Sequence, residues 1–418
     1  MAGTDDYRAT LAAARPRAMA ALLRYFRDLD QAEDAFQEAC LRALSAWSKN
    51  GRPRDATGWL ILVGRNAQVD ALRRHQKLTN GVDETIAHAH SGGEPDLLDR
   101  LDESHFRDDI LRLLFTCCHP DLPPAQQIAV ALRVISGLSV PQISRAFVVS
   151  EAAMEQRITR AKARIAKAEL PYEAPGAIER VERLAAVSKM LYLLFNEGYT
   201  AADPASARAG LCAEAIRLVR LLLEMFPAEP ELMGLLALML LQHSRAAARF
   251  DAAGSPISLD DQDRLLWNRD AIAEGSALID KAMRHRAPGP YQIQAAIAAL
   301  HARAETPEDT DWPQIDLLYQ ALERHAPSPV TTLNHAIAVA RIHGAAAALE
   351  MIEPLSGALE NYFYFHGVRG IFLKEVGSRQ EARRALLRAM SLASTPAEAV
   401  HIRREIEHLE QRGGPVPG

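Results

Sequence analysis

Asp34, Gln37 and Glu38 are three polar side chains spaced so that one helical turn would bring them together. The hydrophobic pattern predicts a helix over residues 31–48, in which positions i, i+3 and i+4 are neighbours. The polar cluster therefore lies on a different face from the apolar stripe. The predicted buried positions of this helix are Ala32, Phe36, Ala39, Ala43 and Trp47.

A second helix, predicted from about Ala56 to Lys77, has a surface that becomes more basic toward its C-terminal end. Its polar residues are Arg65, Asn66, Arg73, Arg74, His75 and Lys77, and its apolar residues are Trp59, Leu60, Val63, Ala67, Val69 and Leu72. Cations in a last turn interact favourably with the helix dipole. They would also suit a phosphate backbone. From spacing alone, a solvated face and a nucleic-acid surface are equally supported.

Together these helices resemble region 2 of bacterial RNA polymerase sigma factors of the extracytoplasmic-function type. The strings that carry the resemblance are AEDAFQEACLRAL and GWLILVGRNAQVDALRR, in the family's order and spacing. The resemblance implies that Asp34, Gln37 and Glu38 bind the β′ clamp helices of core RNA polymerase. It also implies that the second helix binds and melts the promoter −10 element. The implied DNA contacts on this helix are Trp59, Arg65, Asn66, Asp70, Arg73, Arg74 and Lys77.

The loop between the helices, residues 49–56, is basic and contains two helix breakers, Gly51 and Pro53. In the sigma factors that the chain resembles, the corresponding loop holds a base flipped out of the non-template strand, as proteins do when they read a base outside the duplex. Asn50 and Arg52 are therefore implied contacts to melted −10 DNA.

The composition limits the classes of protein to which this chain can belong. The chain has 418 residues, 48% hydrophobic and 24% charged, which indicates a globular protein of two to four domains. Ala and Leu dominate and aromatics make up only 6%, so an all-α fold is predicted. The four cysteines have no metal-ligand spacing, and no apolar run reaches the roughly 18 residues of a membrane helix. We expect a reduced cytoplasmic protein without a signal peptide, structural disulfides, membrane contact or cofactor.

Charge is unevenly distributed along the chain. The net charge is +4 for residues 1–77, −7 for 78–109, +4 for 110–170 and −6 for the remainder. This pattern fits two nucleic-acid-binding modules joined by an acidic connector. The predicted boundaries are 5–77 for the region 2 domain, 78–105 for the linker, 106–170 for a second module and 177–412 for a C-terminal domain.

The second module contains a predicted helix-turn-helix. Ser139 and Ser150 are placed to cap a short helix and a longer one, and the longer helix has Met154, Ile158, Ala161 and Ile165 on its inner face. A basic second helix of this kind enters the major groove. Its outward side chains are predicted to be Gln156, Arg157, Arg160, Lys162, Arg164 and Lys167.

This module resembles sigma region 4, which reads the promoter −35 element and contacts the polymerase β flap. The resemblance implies −35 contacts from Ser150, Gln156, Arg157, Arg160, Lys162 and Arg164. One departure is Glu155, where many members of the family have Lys, which predicts an unusual promoter sequence. A helix-turn-helix alone is a weak signal, but coupled to the region 2 strings about 80 residues upstream it becomes specific.

From residue 177 the chain alternates short Ala/Leu-rich helical segments. They are predicted over 178–199, 206–225, 229–249, 262–284, 290–303, 312–325, 329–342, 345–357, 361–375, 379–393 and 396–411. Tetratricopeptide-like spacing of small and large residues around Gly370, Ala382 and Leu386 predicts an α-solenoid. Less generic strings within it begin at Asn196, Asp260, Gly289 and Asp309. They resemble those of a sigma-factor subgroup with a long C-terminal extension, although turn and capping roles explain each one too.

No phosphate loop, HExxH string or nucleophile elbow is present, so we predict that the chain is not an enzyme. The leading interpretation is a sigma factor controlled by its own C-terminal domain, whose partner or ligand the sequence does not identify. Two alternatives remain. One is a helical-repeat interaction scaffold with a DNA-binding N-terminal half. The other is a helix-turn-helix regulator that does not engage polymerase.

Overall fold

The computed structural model describes residues 2–79, 103–119, 121–147, 149–167, 177–199, 209–251, 254–393 and 396–411. These residues form helices and no β-strand, and their one extended pairing is an isolated bridge between Phe250 and Pro256. The all-α prediction is confirmed. The centre of the predicted linker and the predicted break at 170–176 lie outside the described residues. The chain divides into two compact units, Met1–Leu194 and Phe195–Gly418.

The first unit is built from seven described helices and the start of an eighth. They are α1 (Ala2–Phe26), α2 (Leu29–Asn50), α3 (Ala56–Thr79), α4 (Glu103–Cys117), α5 (Pro124–Val134), α6 (Val140–Phe147), α7 (Glu151–Lys167) and α8 (Ala177–Tyr199). Helix α1 packs against α2 and α3 and also against α4. It thereby joins the region 2 helices to the second module.

Helix α2 has capped ends that follow from its sequence. The Asp28 carboxylate accepts a hydrogen bond from the backbone N–H of Gln31 at 2.8 Å, which satisfies one of the free donors of the first turn. At the other end Gly51 has φ of 76°, a left-handed conformation that favours glycine, and its N–H donates to the Trp47 carbonyl. The prediction that Gly51 breaks the helix is confirmed.

Helices α6 and α7 form the predicted helix-turn-helix. The Ser139 N–H donates to Gln142 Oε1 at 2.8 Å, and the Gln142 N–H donates to Ser139 Oγ at 3.4 Å, a reciprocal cap of α6. The Ser150 hydroxyl accepts from the Ala153 N–H at 3.2 Å and caps α7. All four predicted inner positions of α7, Met154, Ile158, Ala161 and Ile165, are buried.

The second unit contains the end of α8 and ten further described helices. They are α9 (Ala209–Met225), α10 (Pro230–His243), α11 (Arg269–Met283), α12 (Pro290–Arg303), α13 (Trp312–His325), α14 (Pro329–His343), α15 (Ala345–Ile352), α16 (Phe363–Glu375), α17 (Arg379–Leu392) and α18 (Pro396–Gln411). Each packs mainly on its neighbours in sequence, which is compatible with the predicted α-solenoid. Helix α10 is apolar on every side because α9, α11 and α12 cover it.

Three predicted helices of this unit are wrong in extent. The one predicted over 345–357 ends at Ile352 and is followed by a 3₁₀ turn at Glu353–Leu355. The segment predicted as helix over 229–249 ends at His243, and the one predicted over 262–284 begins at Arg269. Asn268 explains the later start, because its backbone is extended and its side chain accepts from the Ala271 N–H at 3.0 Å as an N-cap. The described residues of 244–268 therefore form a largely non-helical segment between α10 and α11, with short 3₁₀ turns at Ala246–Ala248 and Arg264–Leu266.

Candidate protein and nucleic-acid interfaces

The polar cluster of α2 faces outward. Asp34 and Gln37 are exposed, and Glu38 is partly exposed and accepts a hydrogen bond from Arg42 Nε at 2.9 Å. The opposite face is buried through residues that include Ala32, Phe36 and Ala43. The surface thus remains available because packing inside the unit uses the other side of the same helix.

Two leucines that the sequence analysis did not single out extend this surface. Leu41 is 64% exposed and Leu44 is 47% exposed, and they follow Gln37 by four and seven residues. On a helix these spacings place all three on one side. The signal was present in the sequence, since two leucines off the predicted buried stripe of an amphipathic helix indicate a contact surface.

Acidic groups accumulate at the start of α2. Burial raises the pKa of Asp34, and the neighbouring carboxylates of Asp30 and Glu33 raise it further. The surface thus presents a carboxylate in a locally negative environment, which favours a cationic partner group.

The loop and the start of α3 present a mixture of exposed and packed side chains. Asn50 and Arg52 are exposed, and Arg52 Nη1 donates to Thr10 Oγ1 at 2.8 Å. Trp59 is partly buried and makes an edge contact with Trp47, with ring centroids 5.5 Å apart. The indole is therefore held in place by the fold and still reaches the surface.

Further along α3, Asn66 and Asp70 are exposed. Arg65 is partly buried, with its guanidinium 5.6 Å from the centroid of the Tyr25 ring and a 3.3 Å hydrogen bond to Asn66 Oδ1. The predicted contacts Arg73, Arg74 and Lys77 lie in the same helix, and their side chains are outside the described ones.

Gly64 positions α3 against α2 and was missed by the sequence analysis. A Cβ at this position would lie 2.6 Å from the Ala35 carbonyl oxygen and 3.5 Å from the Ala39 methyl group. The two helices can approach this closely only because the residue has no side chain.

The outer face of α7 carries most of the predicted −35 contacts. Gln156, Arg160 and Arg164 are exposed. Arg157 is partly buried, 5.9 Å from the Phe147 ring centroid, and Arg164 Nη1 donates to the Asp121 carbonyl at 3.1 Å. Ser150 is exposed as well, but its hydroxyl is engaged in capping α7, so it contributes to the helix start.

Three known protein families match parts of this chain. Sigma-70 region 2 matches residues 11–78, sigma-70 region 4 matches residues 112–165, and a family of unknown function, DUF6596, matches residues 183–283. The chain belongs to the sigma-70 factors. A protein of Rhizobium meliloti (strain 1021), described as uncharacterized, is 62% identical over 400 residues, which cover 96% of this chain and 95% of that protein. No solved structure matches. The C-terminal match fits the sigma-factor subgroup with a long extension.

In this sigma factor Lys162 does not lie on the outer face of α7, and that part of the prediction is wrong. Its side chain is only 15% exposed, and its ammonium group pairs with Asp30 Oδ1 at 2.7 Å and with the Glu33 carboxylate. Burial lowers the pKa of Lys162, but hydrogen bonds to Asp30 and Glu33 outweigh it and the net shift is upward. The helix periodicity could not place Lys162, because its partners are about 130 residues away in sequence.

Glu33 is the centre of this contact between regions 2 and 4. Its side chain is 4% exposed and is surrounded by three cations: Lys162 of α7, Arg133 of α5 at 3.4 Å and Arg15 of α1 at 3.5 Å. Arg15 also donates to the carbonyls of Val134 at 2.9 Å and Arg133 at 3.1 Å. A buried carboxylate is stable only with such partners. The sigma factor is therefore closed in this structure, in the sense that regions 2 and 4 are in contact. Helix α7, the second helix of the helix-turn-helix, is held against α2, which carries Asp34, Gln37 and Glu38.

Gly137 allows Arg15 to reach this position. The residue has φ of 72°, and a Cβ there would lie 2.8 Å from Arg15 Cδ. The contact between the regions thus depends on a glycine in the loop after α5. Among the described residues no group of His, Cys, Asp or Glu could hold a metal ion, and no helix is long and apolar enough to cross a membrane.

Proposed function

We propose that this sigma factor binds core RNA polymerase through α2 and directs initiation at promoters that it reads with α3 and α7. Promoter recognition follows from the sigma-70 regions themselves. Polymerase binding is supported by one observation above others: Asp34 and Gln37 stand exposed beside Leu41 and Leu44 on a face that the fold leaves uncovered. Polar groups beside exposed apolar ones are the composition of a protein interface. The partner surfaces are the β′ clamp helices for α2 and the β flap for region 4.

The −10 element is the proposed ligand of α3 and the preceding loop. Asn50 and Arg52 offer hydrogen bonds to an unpaired base, and Trp59 offers a ring edge at the surface. The basic end of α3, with Arg73, Arg74 and Lys77, is placed by sequence to follow the phosphate backbone. Stacking and hydrogen bonding to extruded bases recover the cost of unpairing them.

The −35 element is the proposed ligand of α7. Gln156 and Arg160 offer base-edge contacts from the exposed face, and Arg157 and Arg164 lie beside them to contact phosphates. Two elements centred near −10 and −35 are about 25 base pairs apart, or about 85 Å at 3.4 Å per base pair. A sigma factor whose α7 is hydrogen-bonded to α2 cannot span that distance. We therefore infer that promoter binding breaks the ion pairs of Lys162 with Asp30 and Glu33 and releases Lys162 toward DNA.

The C-terminal unit is proposed to control when this happens. Its helices carry no sigma region, and the neighbour-to-neighbour packing gives a large surface for a regulator. The scaffold alternative predicts instead that transcription does not depend on this sigma factor at all.

Run-off transcription with core RNA polymerase and the full-length chain tests the proposal, using the DNA upstream of its own gene and genomic fragments as templates. We expect specific transcripts, and at least a ten-fold loss with the double variant Asp34→Ala/Gln37→Ala. A matched control is Gln380→Ala/Glu381→Ala, which removes an exposed amide and carboxylate from α17. Unaltered transcription by the α2 variant would favour a regulator that does not engage polymerase. No transcripts from folded wild-type protein would favour the scaffold.

A further inference from the structure

The non-helical segment 244–268 lies against helices from both ends of the C-terminal unit. At one side Arg249 donates to the carbonyl of Tyr199, at the end of α8. At the other, Arg404 of α18 pairs with Asp251 at 3.6 Å. The segment also contacts the middle of the unit, because Asp260 pairs with Arg341 of α14. Helices from several parts of the unit therefore contact this segment, while Leu265 and Leu266 remain exposed.

Besides Arg404, four arginines converge on this segment, and one of these four has a carboxylate partner. Arg341 is paired with Asp260. Arg245 donates instead to the Tyr199 hydroxyl at 2.7 Å, and the Arg249 guanidinium stacks 3.5 Å from the centroid of the same ring. Arg264 Nη1 donates to two carbonyls of α12 and its C-terminal end, at 2.7 Å each. Within the described part of the unit, three of the four guanidinium groups are thus partnered only by neutral groups.

The positive charges of these arginines affect one another's pKa and the pKa of His301. Burial lowers the pKa of Arg249, and the neighbouring Arg245 lowers it further against the opposing effect of Tyr199. Burial also lowers the pKa of His301 to about 4, and the positive charges of Arg245 and Arg264 add to the effect. Asp260 partly opposes this at His301, as Asp260, Asp309 and Glu308 do at Arg264. At neutral pH His301 therefore adds no charge of its own to this group of arginines.

Arg245, Arg249 and Arg264 are partly buried without a carboxylate partner, and an anion that joined them would stabilise their charges. Removing a charge from water costs several kcal/mol without a partner. Guanidinium groups match the planar oxygens of carboxylates and phosphates through paired hydrogen bonds. Aromatic faces flank the group as well: Tyr199 beneath Arg249, and Trp312, whose ring centroid lies 5.3 Å from that of His301.

We propose that Arg245, Arg249 and Arg264, with His301 and Trp312 beside them, form a binding site for a small molecule that carries a carboxylate or phosphate group. The site explains why the less generic strings beginning at Asn196, Asp260 and Asp309 occur in the chain, since Tyr199, Asp260, Arg264 and Trp312 belong to them. Through this site a small molecule would regulate the C-terminal unit. The inference does not depend on polymerase binding, because it concerns a site within the second unit alone.

Thermal unfolding of the full-length protein tests the site. The probes are inorganic phosphate and succinate, each compared with sodium chloride at equal ionic strength. We expect phosphate or succinate to raise the unfolding midpoint above the chloride value by more in wild type than in Arg245→Gln, by the linkage of ligand binding to stability. The variant is the baseline because phosphate stabilises folded proteins in general by its exclusion from their surface, and an equal rise in both proteins would overturn the proposal. A phosphate-only response would identify phosphorylated ligands, and a succinate-only response would identify carboxylates. Equal midpoints in all three salts would overturn the proposal.

Variants separate an anion site from a structural role of the same arginines. Arg245→Gln is expected to weaken the anion affinity at least ten-fold by calorimetry, and to leave the ligand-free protein as stable or more stable because a repulsive charge is removed. Arg249→Gln is the second variant, and Arg384→Gln, on the exposed face of α17, is the control. Unchanged affinity in both Arg245→Gln and Arg249→Gln would overturn the assignment.

Discussion

At the scale of single residues, neighbouring polar positions of α2 differ in exposure, because Asp34 and Gln37 face solvent and Glu33 is buried. The positions of Asp34 and Gln37 follow from helical periodicity, and both are exposed as that pattern requires. The role of Glu33, one position earlier, does not follow, because its partners Arg133 and Lys162 come from distant helices. The one hint was Arg15, a charged residue on the apolar stripe of α1. Because a charged side chain is rarely buried without a partner, a cation on such a stripe indicates a buried anion elsewhere in the fold.

The Glu33 carboxylate is predicted to be a main source of stability for the closed first unit. Glu33→Gln would leave Lys162, Arg133 and Arg15 without their shared charge, so we expect a loss of about 3 kcal/mol in the free energy of unfolding. Denaturant unfolding measures it. Glu38→Gln is the control, because Glu38 pairs with Arg42 at the surface, and such pairs contribute about 0.5 kcal/mol. Equal losses in the two variants would contradict the central place of Glu33.

The stability of the second unit is predicted to fall between pH 6.5 and pH 4 through His301. Burial, together with Arg245 and Arg264, lowers the pKa of this imidazole to about 4 from the usual 6.5. Above pH 6.5 it is neutral whether folded or unfolded. Below that, the unfolded chain takes up a proton that the folded chain does not, so stability is lost as the pH falls, by at most about 3 kcal/mol.

Denaturant unfolding of wild type and His301→Gln at pH 7, 5.5 and 4 measures this contribution as a difference in slope. The control is His325→Gln, which replaces an exposed histidine at the end of α13. Parallel pH profiles for wild type and His301→Gln would contradict the assignment.

At the scale of helices, periodicity and capping residues predicted most of the elements and missed how closely they approach. The two helices of the helix-turn-helix begin where Ser139 and Ser150 were expected to cap them. The predicted helix bounds failed over 244–268, where backbone hydrogen bonds across the segment, such as Asn268 N–H to the Ser244 carbonyl at 2.8 Å, take the place of helical ones. Such contacts between distant parts of the chain leave no periodic trace in the sequence.

The crossing of α2 and α3 is predicted to depend on Gly64. In Gly64→Ala the new methyl group would lie 2.6 Å from the Ala35 carbonyl oxygen, so the helices must separate. We expect a loss of about 1–3 kcal/mol in unfolding free energy. Gly210→Ala is the control, since nothing lies within 4 Å of its Cβ and alanine favours a helix by up to about 1 kcal/mol. A stabilising effect of Gly64→Ala would contradict the close approach.

At the scale of the whole molecule, the sequence predicted a helical sigma factor with an extension, and it could not predict that regions 2 and 4 are in contact. Each region has its own apolar stripes, which specify its own core. The contact between them rests on α1, which packs on both, and on one shared carboxylate, Glu33. Neither is visible until distant residues are brought together in space.

Opening of the first unit is predicted to accompany promoter binding, on the basis of the proposed function. Dyes on Ser48→Cys and Ala163→Cys, both exposed, would report the distance between α2 and α7 by energy transfer. Native Cys40 interferes little, because burial raises its pKa to about 11, and the other three cysteines are buried. Transfer should fall when core polymerase and promoter DNA are added.

The control pair for this measurement, Arg17→Cys and Ser48→Cys, lies within the region 2 helices and should keep its transfer efficiency. Constant transfer for both pairs in an active complex would contradict the opening.

The shared carboxylate also limits how this chain can be recombined with others. A hybrid that takes residues 112–165 from another sigma factor would bring in foreign residues at positions 133 and 162, and Glu33 would then lack two of its three cationic partners. Viable hybrids should therefore be those that exchange positions 15, 33, 133 and 162 as a set. Over evolutionary time the same constraint would make these four positions change together, although they are spread across 148 residues of sequence.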